Sequence, residues 1–248
     1  MGRLVLSLDV ETTGLDPAKD QIVELGWCLF DVDEKEVVLS GGSYVLGAEV
    51  SPEIQRITGI RPEWPKRFGR PLGELLREMD MLAVGRGGTT ALVAHNADFD
   101  RAFLVTAAAV ERLSKATLTG PWIDTLTDLP HEQEPDSRKL RYLALDHGLK
   151  PGLAHRAQFD AVLCAQLLSC YPFDEVLARA QSPAVILRAD VSYDDREKAK
   201  TLNFRWQTID GVERVFTKQW VRRVKQCDLP ALTVTAKASG VRIVEVGG

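Results

Sequence analysis

The sequence predicts an α/β protein built on a mixed sheet and followed by a small α+β module, and three observations carry that reading. Three strand-length apolar runs succeed one another within the first 46 residues, separated by polar turns, as in an antiparallel meander. From residue 90 onward, short apolar runs alternate with helix-length amphipathic stretches, the pattern of a sheet flanked by helices. After Ser182-Pro183 the charge balance reverses: residues 184–248 hold 12 Lys+Arg against 8 Asp+Glu, a net +4, leaving −8 on the rest of a chain of net charge −4. The expected division is a domain over 1–175, a linker over 176–183 and the module over 184–248.

The elements follow in order. Leu4 to Glu11 is a strand whose apolar run, including Val10, suits a central position covered on both faces. Gln21 to Val32 and Val37 to Leu46 are its partners, joined through the polar turn Asp31-Val32-Asp33-Glu34. Ser51 is the N-cap and Pro52 the first residue of a short helix closed by Thr58-Gly59. Pro62, Pro65 and Pro71 bracket a loop, and Pro71 to Met81 forms an amphipathic helix through Leu72, Leu75, Leu76 and Met79. Thr90 to Ala94 is a fourth strand. The helix after it buries Phe103, Leu104, Ala107 and Val110. Trp122 to Asp124 is a short strand, Arg138 to Gly148 a helix, and a further helix runs from near His155 to about Leu168. Beyond Tyr171-Pro172 lie a weak helix (175–180), a strand (185–191), a short helix (194–202) and another strand (212–217).

No apolar run approaches the roughly 20 residues that cross a bilayer, and no basic-then-apolar leader opens the chain, so a cytoplasmic protein is expected. Cys28, Cys164, Cys170 and Cys227 are scattered without zinc spacing and read as reduced, mostly buried thiols.

Three acidic segments carry the chemistry. Asp9 and Glu11 are two residues apart on a strand, so their carboxylates share a face about 6–7 Å apart along it. Such a pair is either a hard-cation site or an exposed acidic strand end. His95, Asn96, Asp98 and Asp100 follow the fourth strand at its C-terminal end, where ligands gather in open α/β sheets. His155 and Asp160, if both were helical, would stand about 140° apart around the axis. They share a site only if His155 lies on the loop leading into the helix.

Leu8-Asp9-Val10-Glu11-Thr12-Thr13-Gly14-Leu15, His95-Asn96-Ala97-Asp98-Phe99-Asp100 and His155-Arg156-Ala157-Gln158-Phe159-Asp160 resemble the three motifs of the DEDDh exonuclease superfamily, which includes proofreading subunits, exodeoxyribonuclease X and ribonuclease T. The resemblance covers about residues 1–175 and implies a ribonuclease H-like fold. It further implies that Asp9, Glu11, Asp100 and Asp160 hold two divalent cations, Mg²⁺ or Mn²⁺, with His155 as general base. The His, rather than a Tyr, assigns the h subclass; the position where the y subclass has its Tyr, four before Asp160, is Arg156. Thr12, Thr13, Gly14 and Leu15 are implied to line the pocket of the terminal nucleotide, with amides near Thr13 meeting the 3′ hydroxyl and Leu15 packing on a base. His95 and Asn96 are further substrate-binding candidates, Asn96 either holding the strand end or touching substrate, and Asp98 reads as a solvated neighbour. Phe99 and Phe159 read as core, and His131 and His147 as surface or capping residues. In the stretch Arg56 to Ile60, Thr58 replaces the family's usual His.

The implied activity is 3′-5′ hydrolysis of DNA ends, preferably single-stranded, releasing nucleoside 5′-monophosphates, with DNA repair as a setting. An exoribonuclease and a non-catalytic nucleic-acid-binding module are the alternatives. The tail resembles a small module of nucleic-acid enzymes with Asn203 in place of a Gly. Its Arg205, Lys218, Arg222, Arg223 and Lys225, interleaved with Trp206, Phe216 and Trp220, suit nucleic acid, with a protein as the other partner; Trp206 itself reads as core.

Overall fold

Successive side chains in a strand point to opposite faces. Along β1 (Leu4–Thr12), Val5, Ser7, Asp9 and Glu11 therefore take one face and Leu6, Leu8 and Val10 the other. The computed structural model describes residues 2–85, 88–115, 117–130, 137–152, 155–208 and 218–247. In it β1 is the middle of a five-stranded sheet ordered β3-β2-β1-β4-β5. β2 (Ile22–Asp31) and β3 (Glu36–Tyr44) complete the antiparallel meander, while β4 (Ala91–Ala94) and β5 (Trp122–Asp124) run parallel to β1.

The Leu6-Leu8-Val10 face packs with Leu75, Leu76 and Met79 of α3 (Leu72–Val84) and Phe103 and Leu104 of α4 (Ala97–Val110). The opposite face joins Val5, Cys28, Phe30, Val93 and Ile123 to α5 (Leu140–Asp146), α6 (Ala157–Leu168) and α7 (Phe173–Gln181). α1 (Pro52–Thr58) has the expected caps: Ser51 Oγ accepts from the Ile54 amide at 3.2 Å, and Gly59 takes the left-handed conformation, φ +71°.

Several expectations are corrected. The proline-bracketed loop contains α2 (Glu63–Phe68), because Pro65 falls in the first turn, where no backbone donor is required of it. Val110 is 73% exposed, since the packed stripe of α4 ends at Ala107 and Ala108 and its last turn projects past the core. Cys28 and Cys164 are buried, but Cys170 and Cys227 are exposed. The expected helix at 175–180 is α7, which is longer, running from Phe173 to Gln181, and buries Phe173 and Val176. Among the described residues, no single helix is long and apolar enough to cross a membrane.

The chain divides into two compact units, residues 1–180 and 181–248. The second has its own antiparallel sheet, ordered β7-β8-β6-β9, formed by β6 (Ala184–Asp190), β7 (Arg205–Gln207), β8 (Gln219–Lys225) and β9 (Arg242–Gly247). α8 (Arg196–Thr201) and α9 (Leu229–Ala238) contribute Ala199, Ala236, Leu229 and Leu232 to a core with Val185, Leu187, Ala189 and Val224. Asn203 takes φ +60°, the conformation expected of a residue in a glycine's place. Trp206 is 55% exposed rather than core, because β7 is the edge strand. Its ring lies 5.5 Å from that of Trp220, its partner across β8. The expected strand at 212–217, with Phe216, and His131 lie outside the described residues.

Candidate active site

Register turns the odd face of β1 from core into site. Val5 pairs with Phe30 and Ser7 with Cys28, all buried; one step further Asp9 pairs with Gly26, and then Glu11 with Glu24. Gly26 is what brings α6 down onto the two carboxylates. A Cβ there would fall 2.1 Å from the Ala157 carbonyl carbon, so only glycine admits the helix start at this depth. The first turn of α6 then carries Asp160 to the strand end.

Asp100 arrives by the other route. β4 stops at Ala94, Asn96 turns the chain with φ +74°, and α4 begins at Ala97, so Asp100 sits in its first turn, buried. Its Oδ1 accepts the Val10 amide at 3.0 Å, tying the helix to β1 between Asp9 and Glu11.

His155 is off the helix, as sharing a site with Asp160 requires. It is exposed, with φ +55°, and its amide donates to Asp160 Oδ2 at 3.0 Å. Ligand atoms of Glu11, His155 and Asp160 all lie within 4.8 Å of one another.

Burial, then mutual repulsion, governs the carboxyls. Asp9 is held well above the usual range by desolvation and by the charges of Asp100, Glu11 and Asp160. Desolvation pushes Glu11 up to about 8, with Asp160 and Glu24 adding to the rise and Arg156 opposing it. Desolvation likewise pushes Asp100 to about 8 despite the Val10 amide, and raises Asp160 against the pull of His155. Carboxyls raised by burial and mutual repulsion favour their protonated form, and a bound cation would restore their ionised form. An all-oxygen donor set of this kind fits a hard divalent ion.

Two carboxylates that were not singled out from the sequence hold the site together. Glu24, 4% exposed at its side chain, receives the Arg156 guanidinium at 3.0 Å and the Ala157 amide at 3.2 Å, anchoring the start of α6. Arg156 also stacks 5.2 Å over Tyr44. Asp124 Oδ1 accepts the Asn96 amide at 2.9 Å and fixes the turn into α4. Glu24 lies 13 residues from Glu11 in sequence, and only the β1–β2 register reveals the pairing.

The loop after β1 is closed on itself. Thr12 Oγ1 donates to the Gly14 carbonyl at 2.6 Å, Asp20 accepts from Thr13 Oγ1 and the Asp16 amide, and a Cβ on Gly14 would fall 2.4 Å from Asp20 Oδ2. The Thr13 amide donates to the Gln21 carbonyl, so it is spent within the loop rather than held out to a ligand. Leu15 stands 85% exposed. His95 has both ring nitrogens engaged, Nδ1 with Thr125 Oγ1 at 3.0 Å and Nε2 donating to the Arg138 carbonyl at 2.9 Å, so its ring braces the end of β4. Asn96 has an exposed side chain.

Phe99 packs against the core at 4.9 Å from Phe103, whereas Phe159 is 44% exposed, a departure from the core expectation that follows from its place in the outward side of the first turn of α6. Thr58 is buried and bonds the Ile54 carbonyl, which turns it inward to cap α1. His147 bonds the Leu143 carbonyl, a capping role.

A family model described as "Exonuclease", of the ribonuclease T type, matches residues 6–168, and one described as a domain of unknown function matches residues 185–238. The chain is 34% identical over 169 residues to the PolC-type DNA polymerase III of Thermotoga maritima, covering 64% of this chain. It spans only 11% of that protein's length. It is 30% identical over 168 residues to the DNA polymerase III subunit epsilon of Treponema pallidum, covering 66% of this chain and 74% of that protein. In fold it is similar to the zinc-bound complex of Escherichia coli exonuclease I with single-stranded DNA, with a TM-score of 0.66 at 16% identity over 97% of this chain and 68% of that one. The mixed five-stranded sheet is thus the ribonuclease H-like exonuclease fold, as expected from the three motifs. With a family model matched over residues 6–168, well over half of its length, four converging carboxylates and a histidine beside them, the chain belongs to the DEDDh exonuclease family.

Proposed function

We propose that this chain is a metal-dependent 3′-5′ exonuclease that acts on DNA ends, preferentially single-stranded, and releases nucleoside 5′-monophosphates. The observation that carries this reading is the meeting of Glu11, His155 and Asp160 within 4.8 Å, beside the half-buried Asp9 and the buried Asp100. Asp9, Glu11, Asp100 and Asp160 would hold two Mg²⁺ or Mn²⁺ ions. Bound there, the ions supply positive charge to the attacking and leaving oxygens of an in-line displacement.

The chain's own residues do the rest. His155, exposed and free of the helix, takes the proton of the attacking water, a contribution typically of 10²–10⁴ in rate. The new bond joins that water's oxygen to phosphorus, and the bond from phosphorus to the 3′ oxygen of the preceding nucleotide breaks, the leaving oxygen taking a proton from solvent water to become a 3′ hydroxyl. Leu15, exposed beside the carboxylates' strand, offers an apolar surface to the terminal base, and the Thr12-Thr13-Gly14 loop sets its position. Asp100 and Asp160 also work as struts through their bonds to the Val10 and His155 amides, so site geometry and donor set are built from the same groups. Four cysteines without a disulfide accord with a cytoplasmic setting.

DNA is favoured by the polymerase III relatives, and RNA is the second reading, favoured by the ribonuclease T type of the matching family. Matched DNA and RNA 20-mers, single-stranded and duplex, compared by initial rate in Mg²⁺ and Mn²⁺, decide between them. Faster loss of the DNA strands is expected; faster loss of RNA would transfer the assignment, and no loss of either would overturn the activity.

A further inference from the structure

The register of the second sheet sorts its charges by face. Val185, Leu187 and Ala189 of β6 face α8 and α9, and with them go their partners Val224, Arg222 and Ile243, and Trp220 beyond Arg222 on β8. Arg222 is committed there, donating to the Leu202 carbonyl at the end of α8 at 2.7 Å. The opposite face carries Arg188 of β6, Arg223 and Lys225 of β8, Arg205 of β7 and Arg242 of β9, with Asp190 as the only acid among the described strand residues on that side. Asp190 is already held by Arg188 at 2.8 Å. Arg205, Arg223 and Arg242 are exposed and have no ion-pair partner among the described residues.

We propose that this face, opposite the one packed with α8 and α9, binds the phosphate backbone of nucleic acid. The cations lie on all four strands, about 14 Å across the sheet at the usual strand spacing and staggered along it: Arg205 and Arg188 flank the buried Val221, Arg223 and Lys225 lie to one side of that level and Arg242 to the other, so they match a chain of phosphates rather than one anion. Four of the five are Arg, whose planar fork meets phosphate oxygens two at a time. Excess of positive charge on this face, against a first unit of opposite sign, gives complementarity to a polyanion. Trp206 and Trp220 belong to the other face, so stacking platforms do not interleave with these Arg residues as the sequence suggested. Binding here is therefore indifferent to base and strongly dependent on salt.

The site is independent of the proposed activity, and a probe without ends keeps the two apart. Binding of the full chain to closed circular single strands of dT and of rU, carrying an internal fluorophore, is followed by anisotropy in EDTA between 50 and 200 mM NaCl. The variant Arg205→Gln/Arg223→Gln/Arg242→Gln is expected to bind both circles at least tenfold more weakly, with the slope of log K against log salt reduced by about 2. Arg196→Gln/Lys198→Gln/Lys200→Gln, an equal charge change on α8, is expected to bind like the parent. Equal losses in both variants, an unchanged slope in the first, no binding by the parent, or displacement of the circle by polyglutamate at matched charge would each overturn the proposal, the last in favour of an acidic protein partner. Hydrolysis of linear strands reports on the other reading separately.

Discussion

His155 holds a left-handed backbone, which costs a non-glycine residue about 1–2 kcal/mol, and its amide bond to Asp160 is what keeps it there. Asn tolerates the same conformation, so His155→Asn is expected to fold with unchanged melting temperature while losing 10²–10⁴ in turnover. Equal loss of metal binding, followed by Mn²⁺ titration, would instead make His155 a ligand. The carboxyls give a second prediction. Glu11 and Asp100 are raised to about 8 from unfolded values near 4, so the folded state binds more protons than the unfolded one across that interval. Their contribution to stability is complete below about pH 4 and is lost as pH rises through about 8. Metal-free protein is therefore expected to melt lower at pH 8 than at pH 5, and Mg²⁺ or Mn²⁺ to raise the melting temperature more at pH 8. Asp9, Glu11, Asp100, Asp160 and His155 were readable as candidates because each falls in a short motif of fixed order. Glu24 and Asp124 were not, since a positioning carboxylate acts through register and loop closure.

At the scale of elements, the site depends on how α6 lands. Gly26 lets the Ala157 backbone touch β2, and Glu24 holds both the Arg156 side chain and the Ala157 amide. Gly26→Ala is expected to push the helix start outward and cost about 1–3 kcal/mol, as overpacking does. Glu24→Ala removes the buried acceptor of the Arg156 guanidinium and the Ala157 amide while Arg156 keeps partial access to water, a loss of about 1–3 kcal/mol. For a chain of this size each kcal/mol lowers the melting temperature by about 2–4 °C, so calorimetry detects both. Both variants are expected to lose turnover as well, because His155 and Asp160 ride on the same segment. The five strands of the first unit, α1 and α3 were legible from their apolar patterns, and α1 also from its capping residues. α2 was not, because its Pro residues read equally as a loop.

At the scale of the molecule, the two units differ in how much the sequence disclosed. The first has long apolar strands buried on both faces, an unambiguous signal. In the second, β7 has three residues, β8 carries Arg222 on its helix side and Arg223 and Lys225 on the other, and β9 opens on Arg242, so the alternation is masked by charge, and α9 shows only a sparse apolar stripe of Leu229, Leu232 and Ala236. That same mixture of strand and cation becomes a sided surface once register is known.

The most direct test of the central claim is a time course on a 5′-labelled single-stranded DNA 20-mer in Mg²⁺, beside an EDTA control and an Asp100→Asn variant. A ladder of labelled products that shortens from the 3′ end, present only for the parent chain in metal, is the expected result. A labelled mononucleotide appearing first would reverse the polarity, and an intact strand in Mg²⁺ and Mn²⁺ alike would contradict the assignment of the four carboxylates and His155 to catalysis.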